Sequence, residues 1–319
     1  MKTLASLQDF FYEEMYPQLL TLELQRQKIF SFLKKTIFLL LIFTVVAFLL
    51  LQNFFYDKLQ FFILCVAFVV GVFSLIYHNK IQEFSANYKT LVIEKLVSFV
   101  SPSLQYAQNE SIKRYEYEQS LLFLENVDRF KGEDKISGSI DGVNIEFSEL
   151  HTEAKRKNSK GQTYFVTLFR GLFFVSEFNK HFYSKTFIFP DTIERYMGKA
   201  AHLLQSYDAH GELIKLDDNE FERKFRVYSS DQIEARYILS NAFMQHLLLL
   251  QEKIGKEISI SFTNSKMFVA VHFKSPIFEP KIYKKVADFK EVQNYFETIN
   301  YVVLIIKMLK LDQKIWSKV

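Results

Sequence analysis

The sequence predicts an α+β protein: a two-helix transmembrane hairpin followed by a soluble domain with a mostly antiparallel sheet and packed helices. Three observations predict it. Two long apolar runs, Thr36 to Tyr56 and Leu59 to Tyr77, follow each other early in the chain, parted only by Asp57 and Lys58. From about Lys135 the apolar period shortens from helical spacing to strict alternation. Several hairpin signals then precede long helical patterns, an order that differs from the regular βαβ alternation of a parallel fold.

The chain divides by these patterns into an N-terminal cytoplasmic amphipathic helix (1–35), the membrane hairpin (36–77, spans 36–56 and 59–77), a membrane-proximal stalk helix and linker (78–112) and a cytoplasmic α+β domain (113–319). In residues 1–35, Phe10, Phe11, Met15, Leu19, Leu22, Ile29 and Leu33 recur on one side. Pro17 should break this helix, because proline lacks a backbone donor and its ring clashes with the preceding turn. Each apolar run reaches the roughly 20 residues that cross a bilayer as helix, and neither holds an ionised side chain. Arg26, Lys28, Lys34 and Lys35 precede the first run and Lys80 and Lys89 follow the second, while the link offers only Lys58. The positive-inside rule then places both termini in the cytoplasm. After the hairpin, Ile81 to Val100 is a helix that Ser101-Pro102 ends. It leaves the membrane beside residues 1–35, so the two form an antiparallel stalk, with an interfacial helix for residues 1–33 as the alternative.

In the soluble domain, Lys135 to Ile140 and Val143 to Leu150 flank Asp141-Gly142, residues that accept the positive φ angles of a type I′ turn. Tyr164 to Val175 and Phe182 to Phe189 continue as strands, and Asp191 caps a helix to about Gln205. Leu213 to Leu216 and Phe225 to Tyr228 are short strands. A long helix runs from about Gln232 to Ile254, opened by Asp231 with Glu234 three residues on and closed by Gly255. Ile258 to Phe262 and Met267 to Phe273 form a second hairpin around Asn264-Ser265. Ala287 to Leu311 closes the chain as an amphipathic helix whose Lys307 and Lys310 exclude a third span.

Composition excludes more functions than it suggests. Forty Lys plus Arg against 36 Asp plus Glu leaves a net charge of +4, too slight a balance for a nucleic-acid footprint. The single Cys65 lies in the second run, so no disulfide forms within the chain, as suits a reducing compartment. The 35 Phe are core and lipid-facing material first. No phosphate-binding GxxxxGK[ST] or GxGxxG occurs among only nine Gly, and HExxH, paired CxxC and GxSxG are also missing from the sequence. No cofactor is expected.

Three constellations carry conceivable chemistry. Glu149, His151 and Glu153 alternate and, on one strand face, would present a carboxylate and imidazole set to a metal; a solvated strand end is the plainer account. Lys155, Arg156, Lys157 and Lys160 form a basic loop suited to anionic lipid or an acidic partner, or simply an exposed hairpin loop. Asp231 and Glu234 crowd the start of a helix, where capping and the macrodipole explain them as structural caps. His181, His202, His246 and His272 have no spacing that groups them.

The segments FERKFRVYSSDQIEARYILSNAFM (Phe221 to Met244), FRGLFFVSEFNKHF (Phe169 to Phe182), SFTNSKMFVAV and the FEP of Phe278 to Pro280 resemble the bacterial DUF3137 family. The resemblance covers about Arg114 to Ile315-Trp316 together with the preceding pair of apolar runs, and departs at Ser184, where the family often has glycine. It implies no assigned activity, and through genomic association it implies an envelope assembly with a LemA-like membrane protein. The expected function is a membrane-anchored interaction or regulatory module of an inner-membrane assembly. An anionic lipid-head-group-binding domain and an enzyme of unrecognised type are the alternatives. Ligand, partner and homo-oligomeric state stay open.

Overall fold

The computed structural model describes residues 2–51, 57–177, 183–191 and 211–308. They form two compact units, Met1–Lys95 with Glu279–Asn294, and Leu96–Phe278 with Tyr295–Val319.

The first unit is helical. Helix α1 (Leu4–Phe10) starts at Thr3, whose hydroxyl accepts the Ser6 N–H at 3.2 Å while the Ser6 hydroxyl accepts the Thr3 N–H at 3.0 Å. A π-helical turn, Phe11–Met15, leads directly into α2 (Tyr16–Leu51). The expected break at Pro17 is therefore corrected: the helix continues through it. The Tyr16 N–H reaches back five residues to the Phe11 carbonyl, and this widened turn sits where a proline ring would otherwise strike the preceding backbone. Helix α3 (Asp57–Lys89) follows, then a second π-helical turn, Thr90–Glu94, and α4 (Lys95–Val100), which ends before Ser101-Pro102 as expected.

Helices α2 and α3 run antiparallel. Lys95 Nζ donates to Gln18 Oε1 at 3.0 Å near one end, and the rings of Phe32 and Phe73 lie 6.3 Å apart further along. Leu7, Phe11, Met15, Leu19 and Leu22, all on the predicted stripe or in step with it, are buried. The segment Glu279–Asn294 straps the pair. Glu279 accepts from Ser85 Oγ at 2.8 Å and pairs with the buried Lys89 at 2.7 Å, Arg26 donates to the Ile282 carbonyl at 2.7 Å, and the Val286 N–H donates to Glu23 at 3.0 Å. Glu23 and Arg26 close the arrangement as a buried pair at 2.6 Å, so each charge taken out of water has several polar partners.

The second unit carries the sheet. Among the described residues nine strands form one antiparallel sheet in the order β1-β2-β3-β4-β9-β8-β5-β7-β6. They are β1 (Leu104–Ala107), β2 (Arg129–Ile140), β3 (Val143–Lys157), β4 (Thr163–Glu177), β5 (Thr186–Pro190), β6 (Glu212–Ile214), β7 (Phe225–Ser229), β8 (Ile258–Thr263) and β9 (Lys266–His272). Both predicted tight turns are present: Asp141 and Gly142 have φ of 52° and 82°, and Asn264 and Ser265 have 52° and 58°. Strand β1 and the short helices α5 (Arg114–Gln119) and α6 (Asn219–Lys224) are additions to the sequence reading.

Alternation in β8 and β9 builds two different faces. Ile260, Phe262, Val269 and Met267 pair across the strands on one face, and the Phe262 ring meets Phe243 at 6.0 Å. Phe243 belongs to α8 (Asn241–Ile254), which covers that side. Ser259 and Ser261 pair with Ala270 and Phe268 on the other face, beneath α5. There Ser261 Oγ donates to the Ser120 carbonyl at 2.7 Å and Thr263 Oγ1 to the Gln119 carbonyl at 3.0 Å. The open carbonyls at the end of α5 are thus met by hydroxyls from the sheet. Phe169, Phe173, Phe187, Phe189 and Phe268 fill the core between, with Tyr117 stacked on Phe123 at 5.2 Å.

The single helix expected over Gln232 to Ile254 is two: α7 (Gln232–Ile238) and α8. Leu239 leaves helical geometry at ψ 57°, and Ser240 begins α8 by accepting the Phe243 N–H at 3.3 Å. Gly255 closes it in the left-handed region at φ 61°. The last helix, α9, spans Phe289–Met308. The helix expected after Asp191 to Gln205 (residues 192–205), His181, His202 and the Ile315-Trp316 end of the resemblance lie outside the described residues.

Candidate functional site

The alternating trio on β3 is dispersed into structural roles. Glu149 is buried opposite Glu133 of β2 and accepts the Ile277 N–H at 2.9 Å, which holds the chain after β9 to the sheet. His151 faces Arg170 across to β4 and receives its Nη2 at 3.1 Å on Nδ1. Arginine only donates, so Nδ1 accepts, and a neutral ring then carries its proton on Nε2, 3.1 Å from Thr167 Oγ1. Burial, then the nearby Arg170 charge, lower the His151 pKa. A bulge between Thr152 and Glu153 shifts the register, and Glu153 lies 3.6 Å from Arg129 and 3.9 Å from His151. Among the described residues no three His, Cys, Asp or Glu converge as metal ligands.

The expected basic loop is corrected: Lys155, Arg156 and Lys157 form the end of β3, paired with Phe165, Tyr164 and Thr163 of β4, Lys160 alone lies in the turn, and the run has internal partners. The Lys155 N–H donates to Asp128 at 2.7 Å, and the Arg156 guanidinium pairs with Glu125. Asn158 Oδ1 organises the turn by accepting the N–H groups of Lys160 at 3.0 Å and Gln162 at 2.9 Å. At the start of α7, Asp231 accepts from Ile233 at 2.8 Å and Glu234 at 3.2 Å. The Glu234 carboxylate points elsewhere: it accepts the Ser184 N–H at 2.7 Å and the Tyr183 N–H at 3.3 Å, which fixes the entry to β5. The Asp231 N–H donates to the Ser229 hydroxyl at 3.2 Å in its stead.

Two other features stand out. The first is an apolar sleeve on α2 and α3, where Phe38 is 63% exposed, Leu39 61%, Leu64 68% and Phe68 73%. The helical segment Leu4–Val46 is long and apolar enough to cross a membrane, and among the described residues it is the single such segment. The run Leu59 to Tyr77 forms part of α3. Lys34 lies over the Phe30 ring at 4.4 Å and Lys80 over the Phe32 ring at 5.8 Å, so both lysines cover aromatic surface at one end of the sleeve.

The second is a groove of about 810 Å³ in the sheet unit. It opens where β8 begins and β9 and β5 end, and its walls come from the ends of α6 and α8. Gln251, Glu252 and Glu257 line it together with Arg223, Lys224 and Lys274. His272, at the end of β9, is among the lining residues; its ring turns to the core under α5, edge-on to Phe169 at 5.1 Å and Phe123 at 6.1 Å, and burial pushes its pKa down to about 4. Sequence reasoning missed this groove because five separate elements supply its residues and no spacing marks them.

The described molecule is thus a membrane-length apolar helix in one unit and a nine-stranded antiparallel α+β sheet in the other. Residues 167–311 match the family described as "Protein of unknown function (DUF3137)", the family that the sequence resembles. No curated protein matches the chain. The crystal structure of the mycobacterial trehalose monomycolate transport factor A, TtfA, is similar at 8% identity over 67% of this chain and 93% of that chain, with a TM-score of 0.35, a likeness that carries no argument.

Proposed function

We propose that this chain is a two-span anchor in a bacterial inner membrane, with both termini and the sheet unit in the cytoplasm, and that the sheet unit binds a partner protein of a membrane assembly. The exposed apolar sleeve carries the reading. Ile37, Phe38, Leu39 and Leu41 on α2, and Ile63, Leu64, Phe68 and Leu75 on α3, are all exposed, a patch far beyond what a monomer keeps in contact with water. Lipid is the solvent in which such a surface is stable. Lys28, Lys34, Lys35 and Lys80 lie at one end of it, the asymmetry of a cytoplasmic flank.

Reporter fusions test the orientation. Alkaline phosphatase at the C-terminus should be inactive and a fluorescent protein there bright, while a cysteine replacing Lys58 should label from outside the cell. An active C-terminal phosphatase would defeat the topology. Affinity purification in detergent tests the partner: a stoichiometric membrane protein should co-purify, and repeated recovery of this chain alone would count against an interaction module.

A further inference from the structure

We propose that the tip of the β3–β4 hairpin docks on an anionic bilayer surface, its lysines against lipid phosphates and its exposed tyrosine and valine in the head-group layer. The two strands outrun the sheet. The first residue of β2, Arg129, pairs with Glu153, and the last of β9, His272, pairs with Gly171, while β3 and β4 go on pairing from Ala154 with Val166 to Lys157 with Thr163. The hairpin end is therefore a two-stranded arm. Two strands alone are marginal in water, and this arm is braced at its base. The Lys155 N–H donates to Asp128 at 2.7 Å, Arg156 pairs with Glu125, and the Arg129 guanidinium lies 3.3 Å from the centre of the Phe165 ring.

The arm carries charge of one sign. No Asp or Glu occurs from residue 154 to residue 176, a stretch that holds Lys155, Arg156, Lys157, Lys160 and Arg170. Glu125 neutralises Arg156, whereas Lys155, Lys157 and Lys160 are exposed and, among the described residues, their ammonium groups meet no carboxylate. Cross-strand partners project to the same side of a hairpin. Lys155 and Lys157 therefore share one side with Phe165, and Tyr164 and Val166, 48% and 39% exposed, share the other. This disposition selects the occupant. The two sides face apart, so one flat face of a protein or nucleic acid would take up the lysines or the apolar pair and leave the other in water. A fluid head-group layer surrounds a tip that enters it and meets both sides at once. Its phosphates attract lysine, and the amphipathic tyrosine ring is favoured between water and hydrocarbon. This inference goes beyond the anchor reading and does not depend on it.

The full chain held in phosphatidylcholine nanodiscs and floated with vesicles on a density gradient tests it. The vesicles are phosphatidylcholine alone and an equal mixture with phosphatidylglycerol, and only the mixture should carry the chain upward. Lys155→Gln, Lys157→Gln and Lys160→Gln together should weaken binding to the mixture about a hundredfold, about fivefold for each charge removed. These exposed side chains have no partner to lose, so the variant keeps its fold. Tyr164→Ser with Val166→Ser should weaken binding about tenfold while leaving its salt dependence unchanged. A polarity-sensitive dye on Ser159→Cys, in a chain also carrying Cys65→Ala, should shift to the blue on the mixed vesicles only. Equal binding to the two kinds of vesicle, no loss in the lysine variant or an unmoved dye would overturn the proposal. Poly-L-glutamate bound more tightly than the mixed vesicles, and as well by the Tyr164 and Val166 variant as by the wild type, would overturn it in favour of an acidic protein.

Discussion

At the scale of single residues, the polar atoms that lack partners are as informative as those that have them. Ser184 occupies the position where the resemblance leads one to expect glycine, yet its φ is not positive, so no left-handed turn demands glycine there. Its backbone is held by Glu234, while its hydroxyl is buried with no hydrogen-bond partner. Ser184→Ala should therefore stabilise the fold by about 1 kcal/mol, read as a rise in urea midpoint. A fall would show that the hydroxyl is satisfied in solution. His272 behaves differently, because its cost depends on pH. Burial lowers its pKa from 6.5 to about 4, so as pH falls through this window the unfolded chain takes up a proton that the folded chain refuses. The stability present above about 6.5 is lost progressively toward pH 4, up to about 3 kcal/mol. Urea unfolding at pH 7 and pH 4.5 should show this loss in the wild type and a smaller one in His272→Gln; identical losses would clear His272 of the effect.

At the scale of elements, what was legible in the sequence was local. Asp141-Gly142 and Asn264-Ser265 announced their hairpins because a type I′ turn needs particular residues at adjacent positions. Pro17 misled because a π-helical turn, a property of the residues before it, absorbs the missing donor. Gln232 to Ile254 misled because its apolar residues cover both helices, and only Ser240, a cap in mid-pattern, signals the division. Ser240→Ala should cost about 1 kcal/mol, with amide exchange hastened in the first turn of α8 and not in α7. The pairing of β4 with β9 was beyond local reading, since about a hundred residues separate them. Gly171 shows how closely they approach: its φ is 153°, and a Cβ there would lie 2.0 Å from the Val271 carbonyl oxygen. Gly171→Ala should therefore destabilise the sheet by roughly 3 kcal/mol, a drop of roughly 10 °C in melting temperature. A variant melting within a degree or two of the wild type would mean that β4 and β9 pair differently.

At the scale of the whole molecule, the apolar runs stand in consecutive residues and the groove does not. Span length, flanking charge and apolar content are read in a single pass from Thr36 to Tyr77, whereas Arg223, Gln251 and Lys274 meet only after the sheet has formed. The two kinds of exposed surface also obey opposite rules. Phe68 is 73% exposed on α3 and Tyr115 is 53% exposed on α5. In water, replacing either by aspartate would be nearly neutral or would improve solubility. In a bilayer the first position faces hydrocarbon, where an aspartate near the helix centre costs roughly 3 kcal/mol on insertion scales. Phe68→Asp should therefore lower the amount of chain retained in alkali-washed membranes and its melting temperature in lipid nanodiscs, while Tyr115→Asp changes neither. Equal tolerance at the two positions would mean that α3 lies against water or a protein partner and not lipid, and the second span would have to be given up.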